Sequence, residues 1–182
     1  ARISGSGDTL AIDYQFTNGG AGPVLVTNKI WRMVEGKAKI DPDFVYAHVN
    51  SDGLLAIYKT MPNIPEGKSP TNLVAPYMTK VEGGDRLSES ITLQLPLLPY
   101  QEYFNNEPAE DSDGNKLVQT VKEVAFGLAF FVPPEGSKIW NEKAFGENVD
   151  LFHNPPGKRA QYGVLWSERF KVSVPVFRRT ET

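Results

Sequence analysis

The chain of 182 residues is 40% hydrophobic and 23% charged, which is enough apolar material for the core of one domain and too much for a disordered chain. Its formal charge of −3 gives no net attraction to nucleic acid or to an anionic membrane, and no segment approaches the ~18 apolar residues of a membrane span. The absence of cysteine excludes disulfides, thiol catalysis and cysteine-ligated metal sites.

The start of the chain bears on both processing and structure. Residues 1–8 are small and mostly polar, and they are predicted to form a loose lead-in to a single domain that covers 1–182. Ala1 is the kind of small residue that signal-peptidase cleavage leaves behind. We therefore expect an exported bacterial protein, periplasmic or extracellular, with a truncated N-terminus as the alternative.

Two strands around a glycine-rich loop come next. Apolar and polar residues alternate over 10–17, the period of a strand with one buried face, and a second apolar run follows over 24–31. Between them, 18–23 contain three glycines and a proline, which require turn conformations. This unit resembles the first two strands of bacterial immunoglobulin-like domains, over about twenty residues, and the resemblance implies a fold but no function.

Seven further strands are predicted from alternation and from the turn residues that separate them: 44–49, 54–58, 75–81, 86–97, 117–132, 161–166 and 170–176. The run 117–132 is the most apolar, and small residues along one of its faces indicate a central strand that is covered on both sides. Eight or nine short strands with little helix predict an all-β fold. We expect a two-sheet antiparallel β-sandwich, with immunoglobulin-like or jelly-roll topology.

Three long loops are expected at 61–71, 99–115 and 133–157, and residues 138–145 of the third are compatible with a turn or two of helix. Loops held by a rigid sandwich are the usual contact surfaces. Aromatic residues in them either anchor the loop or meet a partner. The candidates for partner binding are Tyr100, Tyr103, Phe104, Trp140 and Phe152, whereas Trp31 and Trp166 end strand-like runs and are interpreted as core or core-rim residues.

The sequence offers little support for a metal site. Glu110, Asp111 and Asp113 form a weak Ca²⁺ candidate, with an ordinary Asp-Gly turn as the alternative. An EF-hand is excluded, because its first and twelfth positions would be Ala109 and Thr120. The two histidines, His48 and His153, lack metal-ligand spacing, so no other metal or cofactor is expected.

The sequence contains no catalytic motif, and it favours a non-catalytic protein over an enzyme. No Gly-x-Ser-x-Gly elbow is present. Asp13, Glu123 and Glu168 fall in or beside predicted strands, where two carboxylates facing a cleft could act on a glycan. Exposed strand residues are the simpler interpretation of all three.

Charge is distributed unevenly along the chain. The segment 101–115 carries five acids and no base, whereas 158–179 carries six bases and one acid, so the two could pair within the fold or between copies. The sequence predicts a non-catalytic binding, interaction or assembly module that contacts a protein partner or a second copy through its long loops. A carbohydrate-binding module is the first alternative, and a glycan-active enzyme is the second.

Overall fold

The alternating apolar residues fold into β-strands along the whole chain. The computed structural model describes residues 1–180, which contain fourteen strands and no helix. Among these residues, accordingly, no helix is long and apolar enough to cross a membrane. In chain order the strands are β1 (Arg2–Ser6), β2 (Thr9–Thr17), β3 (Val24–Lys29), β4 (Trp31–Val34), β5 (Lys37–Ile40), β6 (Tyr46–Val49), β7 (Leu54–Lys59), β8 (Tyr77–Val81), β9 (Arg86–Gln94), β10 (Val118–Val132), β11 (Lys138–Ala144), β12 (Glu147–His153), β13 (Gln161–Trp166) and β14 (Phe170–Phe177).

Two sheets form the sandwich, which confirms the predicted all-β fold class. The smaller sheet has the order β1-β2-β9, and the larger has the order β11-β12-β8-β3-β10-β7-β6, with β13 and β14 both paired to β10. A separate hairpin joins β4 and β5. All nine predicted strands are present, and the count is higher than expected because β1, β4, β5, β11 and β12 were assigned to loops or irregular segments.

Hairpin turns explain most of the additional strands. Phe145 and Gly146 both have positive φ, 51° and 87°, and they join β11 to β12 within the segment expected to be a long loop. Glu35 and Gly36 join β4 to β5 in the same way. Two-residue turns with positive φ at both positions match the twist of a hairpin. The long-loop prediction for 133–157 is therefore wrong over its middle, where a hairpin stands.

The prediction of a loose lead-in over residues 1–8 is wrong for residues 2–6. Residues 2–6 form β1, which pairs antiparallel with β2, and Ile3 is 6% exposed within the main core. The apolar side chain of Ile3 gives this short segment a buried contact that a loose lead-in would lack.

Strand β10 is the centre of the larger sheet. Its first half pairs with β14 and its second half with β13 along one side. Along the other side it pairs with β7 up to Leu128 and then with β3 at Phe130 and Phe131. The pairing of β7 with β10 is parallel, so the expectation of a purely antiparallel sandwich is wrong there. The intervening chain passes through β8 and β9 before it returns.

Strands β3 and β7 meet end to end beside β10, and a buried hydroxyl joins them. Thr27 of β3 is 0% exposed, and its Oγ1 lies 3.1 Å from the carbonyl oxygen of Lys59 and 3.1 Å from that of Ala129. The hydroxyl thus donates to carbonyl oxygens of both neighbouring strands. We refer to this point as the β3–β7 junction.

Apolar side chains fill the space between the two sheets, as the alternation requires. The main core draws on both inner faces, with large contributions from Leu10, Ile12, Leu55, Ile57, Ile91, Val124 and Phe126. A second, smaller cluster lies on the outer face of the larger sheet and contains Ile30, Tyr46, Ala56 and Tyr58, with Phe44 and Tyr100 packed against it. The outer face is therefore apolar as well.

Candidate partner-binding surface

Strand β13 is an exposed edge of the larger sheet. Among the described residues its only strand partner is β10. Three large apolar side chains on it are exposed: Tyr162 by 45%, Leu165 by 55% and Trp166 by 51%. An uncovered edge that also carries apolar side chains is what natural proteins usually avoid unless the surface is used.

In β13, the backbone N–H and C=O groups of every second residue point away from β10, toward the free edge of the sheet. Ser167 N donates to the carbonyl oxygen of Phe126 at 2.8 Å, just beyond the end of the strand. Because hydrogen-bonded residues alternate in an antiparallel pair, Leu165 and Gly163 also bond toward β10. The N–H and C=O groups of Tyr162, Val164 and Trp166 therefore point outward, along the free edge.

The rings of β13 lie across its neighbour because small residues leave room there. A Cβ at Gly127 of β10 would stand 2.8–2.9 Å from three ring carbons of Trp166, so only glycine allows the indole to lie over that position. The same indole is 6.0 Å from the ring of Tyr58, centroid to centroid. Trp166 therefore covers part of the outer face and remains half exposed.

A second group of rings continues this surface. The Tyr162 ring is 5.0 Å from that of Phe131, which is 5.6 Å from that of Phe152 on β12. The hydroxyl of Tyr162 accepts a hydrogen bond from Met61 N at 3.3 Å, and burial raises its pKa. We call the five residues Tyr58, Phe131, Phe152, Tyr162 and Trp166 the β13 face. Phe152, a predicted binding residue, belongs to it.

Basic side chains stand at both ends of β13. Arg169 Nη2 pairs with Asp52 at 3.0 Å and its Nη1 with Glu123 at 3.3 Å, and the hydrogen bonds to these two carboxylates raise the pKa of the guanidinium. Arg159 and Lys171 are exposed, and neither forms an ion pair with any other residue in 1–180. The charge of Arg169 is therefore compensated locally, and the unpaired positive charge near the edge comes from Arg159 and Lys171.

The other aromatic residues that were predicted to bind a partner lie outside the β13 face. Trp140 lies on β11, is 43% exposed, and donates its indole N–H to Glu142 Oε2 at 3.0 Å. Tyr100 packs edge-on against Phe44 at 5.2 Å, and burial together with the nearby Glu102 raises its pKa to about 12. Trp140 is therefore accessible, whereas Tyr100 belongs mainly to the second apolar cluster.

Tyr103 and Phe104 anchor their loop to other parts of the chain. The Tyr103 hydroxyl accepts a hydrogen bond from Val74 N at 2.6 Å, and its carbonyl oxygen accepts one from Lys68 Nζ at 2.8 Å. The guanidinium of Arg179 lies 5.7 Å from the centre of the Phe104 ring. These contacts connect 99–115 to 61–76 and to the C-terminal segment, as expected of loop anchors.

A polar chain of contacts runs beneath this loop. Gln101 Nε2 donates to the Tyr58 hydroxyl at 3.1 Å, and that hydroxyl lies 3.2 Å from His48 Nδ1. Arg179 Nη1 donates to Gln101 Oε1 at 2.8 Å. Burial lowers the pKa of His48 and raises that of Tyr58. The network fixes the loop on the outer face.

The acidic and basic segments of the chain lie against each other within the fold. Ala109 N donates to the carbonyl oxygen of Arg178 at 2.7 Å, and Arg179 Nε donates to that of Asn105 at 2.9 Å. No ion pair joins the two segments in the described part of the chain. Hydrogen bonds to main-chain carbonyl oxygens, rather than ion pairs, hold them together.

A cleft of about 800 Å³ opens between the β4–β5 hairpin and the end of β9. Its three carboxylates are engaged with the protein itself. Asp41 Oδ2 accepts from Arg32 Nη2 at 2.5 Å, Asp43 Oδ1 accepts from Thr92 N at 2.8 Å, and Glu102 Oε2 accepts from the Tyr100 hydroxyl at 3.2 Å. The cleft holds Phe44 and Tyr100 together with these groups. It carries no convergent set of free polar groups.

The predicted calcium and carboxylate candidates have local partners. Asp111 Oδ1 accepts from Asp113 N at 2.9 Å and from Asn115 N at 2.8 Å, as in a side-chain-capped turn, and these bonds lower the pKa of Asp111. No group of three potential metal ligands occurs within 1–180. Asp13 accepts from Ser90 Oγ at 2.6 Å on the smaller sheet, whereas Glu123 pairs with Arg169 on the larger one.

Tyr162 and Leu165 were not predicted from the sequence as binding residues, and Trp166 was interpreted as a core or core-rim residue. The available signal was the apolar character of both faces of 161–166, since Tyr162, Val164 and Trp166 alternate with Gly163 and Leu165. Such a run is equally typical of a buried strand. Its place at a sheet edge depends on strand order, which alternation does not encode.

Comparison with known proteins yields no relative. The chain matches no known protein family, no curated protein and no solved structure.

Proposed function

We propose that the chain is a non-catalytic binding module that takes an extended segment of a partner protein along the free edge of β13. The observation that carries the proposal is the coincidence of outward backbone groups with exposed apolar side chains on one strand. Strand addition of this kind gains affinity from main-chain hydrogen bonds and specificity from alternate side chains. The β13 face supplies those side-chain contacts.

The charge near the ends of β13 favours a partner segment with acidic ends. Arg159 at one end and Lys171 beyond the other are exposed and form no ion pair within residues 1–180, whereas Arg169 is already paired with Asp52 and Glu123. A segment that alternates apolar residues and carries Asp or Glu at its ends meets the same edge with opposite charge.

A proline at Val164 tests the edge directly. The Val164 N–H points outward, so Val164→Pro removes a group that a partner strand would use while it leaves the bonds to β10 in place. The matched control, Val164→Thr, keeps the N–H and the branched side chain. Synthetic alternating peptides with acidic ends are the ligands, and basic-ended peptides of the same apolar pattern are the comparison.

We expect acidic-ended peptides to bind the native chain and Val164→Thr but not Val164→Pro, with affinity that falls as salt rises. Equal binding to Val164→Pro, or no preference for acidic ends, contradicts the proposal. A salt-independent dimer that Val164→Pro dissociates would show that a second copy, not a separate partner, occupies the edge.

Carbohydrate binding is a second candidate, favoured by one observation. Tyr162 and Trp166 share one face of β13, and both rings are about half exposed. Flat exposed rings are able to stack against sugars or against apolar side chains. Titration with soluble oligosaccharides, followed by tryptophan emission, separates the two uses. A response that Tyr162→Ala removes and Trp140→Ala retains supports the glycan, and a flat titration counts against it.

A further inference from the structure

A cluster of polar side chains lies inside the otherwise apolar core. Lys59 is 1% exposed, Asn28 is 2% exposed and Tyr14 is 5% exposed. Glu89 of β9 is only partly buried; it pairs in register with Tyr14 of β2 and shares its inward face. We call these four residues the core polar cluster. Buried polar and charged groups are costly, so their arrangement requires an explanation.

Lys59 occupies this site without a carboxylate partner. Its Nζ donates to the main-chain oxygen of Asn28 at 3.0 Å and to that of Pro42 at 2.7 Å. None of the ion pairs in residues 1–180 includes Lys59. Burial lowers the pKa of its ammonium group, which makes the neutral, nucleophilic amine more accessible than in a solvated lysine.

Asn28 presents an amide to the same space. Its Nδ2 donates to Glu89 Oε1 at 2.7 Å, whereas its Oδ1 is buried and has no hydrogen-bond partner. The second oxygen of Glu89 accepts a hydrogen bond from the Tyr14 hydroxyl. The amide nitrogen of Asn28 is therefore held against a carboxylate that Tyr14 orients, while the amide carbonyl is left free.

We propose that Lys59 and Asn28 join through an intramolecular amide bond, with Glu89 as the proton carrier. By rotating its own side chain, Lys59 moves Nζ from the main-chain carbonyl of Asn28 to the side-chain carbonyl of the same residue. The neutral Nζ attacks Cγ of Asn28, and Glu89 accepts a proton from Nζ and gives one to Nδ2. The Cγ–Nδ2 bond breaks, the Nζ–Cγ amide remains, and one ammonia molecule leaves.

Formation of the amide removes the uncompensated charge of the buried Lys59 side chain. The buried ammonium becomes part of a neutral amide, so the charge without a carboxylate partner disappears. The new bond also ties β3 to β7 at the β3–β7 junction, where both strands pair with β10 but share no ladder with each other. The reaction needs no oxidant, metal or cofactor.

Intact mass of the full-length purified chain, measured after denaturation, tests the proposal. The native chain should weigh less than its sequence mass by one ammonia, about 17 Da. Lys59→Arg and Asn28→Ala should each restore the full sequence mass of the variant. Glu89→Gln should leave most of the chain at full mass, whereas Lys80→Arg, which alters an exposed lysine, should keep the loss.

Tryptic digestion locates the bond. Because trypsin does not cleave after an acylated lysine, the linked product is a branched peptide of residues 3–29 and 40–68. Full sequence mass in the native chain overturns the proposal, whether or not the variants fold. Loss of ammonia without the branched peptide also overturns it, since Asn28 would then have cyclised on its own backbone.

Discussion

The hydroxyl of Thr27 provides a sharp test of how the larger sheet is held together. Thr27 is fully buried, and its Oγ1 lies 3.1 Å from the carbonyl oxygens of Lys59 and Ala129. Thr27→Val keeps the shape of the side chain but removes the donor. A hydroxyl has one proton, so the loss amounts to about one hydrogen bond plus the cost of leaving buried carbonyls unpaired, ~1–2 kcal/mol in all.

Thr79 on the neighbouring strand β8 offers a matched control. Its Oγ1 is also buried but has no hydrogen-bond partner, so Thr79→Val removes a desolvated hydroxyl that contributes nothing. We expect that change to be neutral or stabilising by up to ~1 kcal/mol. The two variants thus share the chemistry of the substitution and differ in the partners of the hydroxyl, although Thr79 as a residue is less deeply buried than Thr27.

Thermal and urea unfolding, followed by circular dichroism, measure the difference. For a chain of this size each kcal/mol corresponds to ~2–4 °C in Tm, so Thr27→Val should melt ~2–8 °C below the native chain. Thr79→Val should melt at or above the native temperature. If the two variants lost equal stability, the bridge at the β3–β7 junction would not be a stabilising contact.

Two further predictions concern the outer face. Gly127→Ala places a Cβ against the Trp166 ring and should tilt the half-exposed indole outward, at ~1 kcal/mol, with a red shift in tryptophan emission; an unchanged spectrum contradicts the packing. Burial lowers the pKa of His48 below its ordinary 6.5, so below that pH the unfolded chain binds a proton that the folded chain does not. The native chain should therefore lose stability as the pH falls from 6.5 toward the lower folded pKa, and His48→Gln should lose less over the same range, as measured by Tm. Equal losses in the two proteins would refute the assignment.

The local sequence pattern predicted strand positions well, because a strand with one buried face alternates apolar and polar residues. All nine predicted strands are found, and residues 117–132 were correctly identified as central. The β11–β12 hairpin was missed because its turn, Phe145-Gly146, places a phenylalanine at positive φ where Asn or Asp is the usual signal. The pairing of β11 with β12 outweighs the unfavourable positive φ of Phe145 in this turn.

Long-range arrangement accounts for what the sequence could not predict. Tyr14, Asn28, Lys59 and Glu89 are far apart in the chain, and three of them read as ordinary polar strand residues. Asn28 follows the alternation of Val24 and Val26, which face the main core, and it is 2% exposed. Alternation thus gives the inward face of Asn28, but its contact with Glu89 and its closeness to Lys59 depend on strand order, which alternation does not encode.

The small residues of β10 leave space on the outer face of the larger sheet. Gly127 and Ala129 on its outer face were interpreted as room for close packing, and the space is taken by rings of the adjacent edge strand rather than by another layer. Because Trp166 and Tyr162 come from an edge strand, packing fixes one side of each ring while the other stays exposed. A strand added to β13 would extend the hydrogen-bond ladder and contact these rings in a single step. The glycine in the centre of the sheet thus leaves the space that the Trp166 ring occupies at its edge.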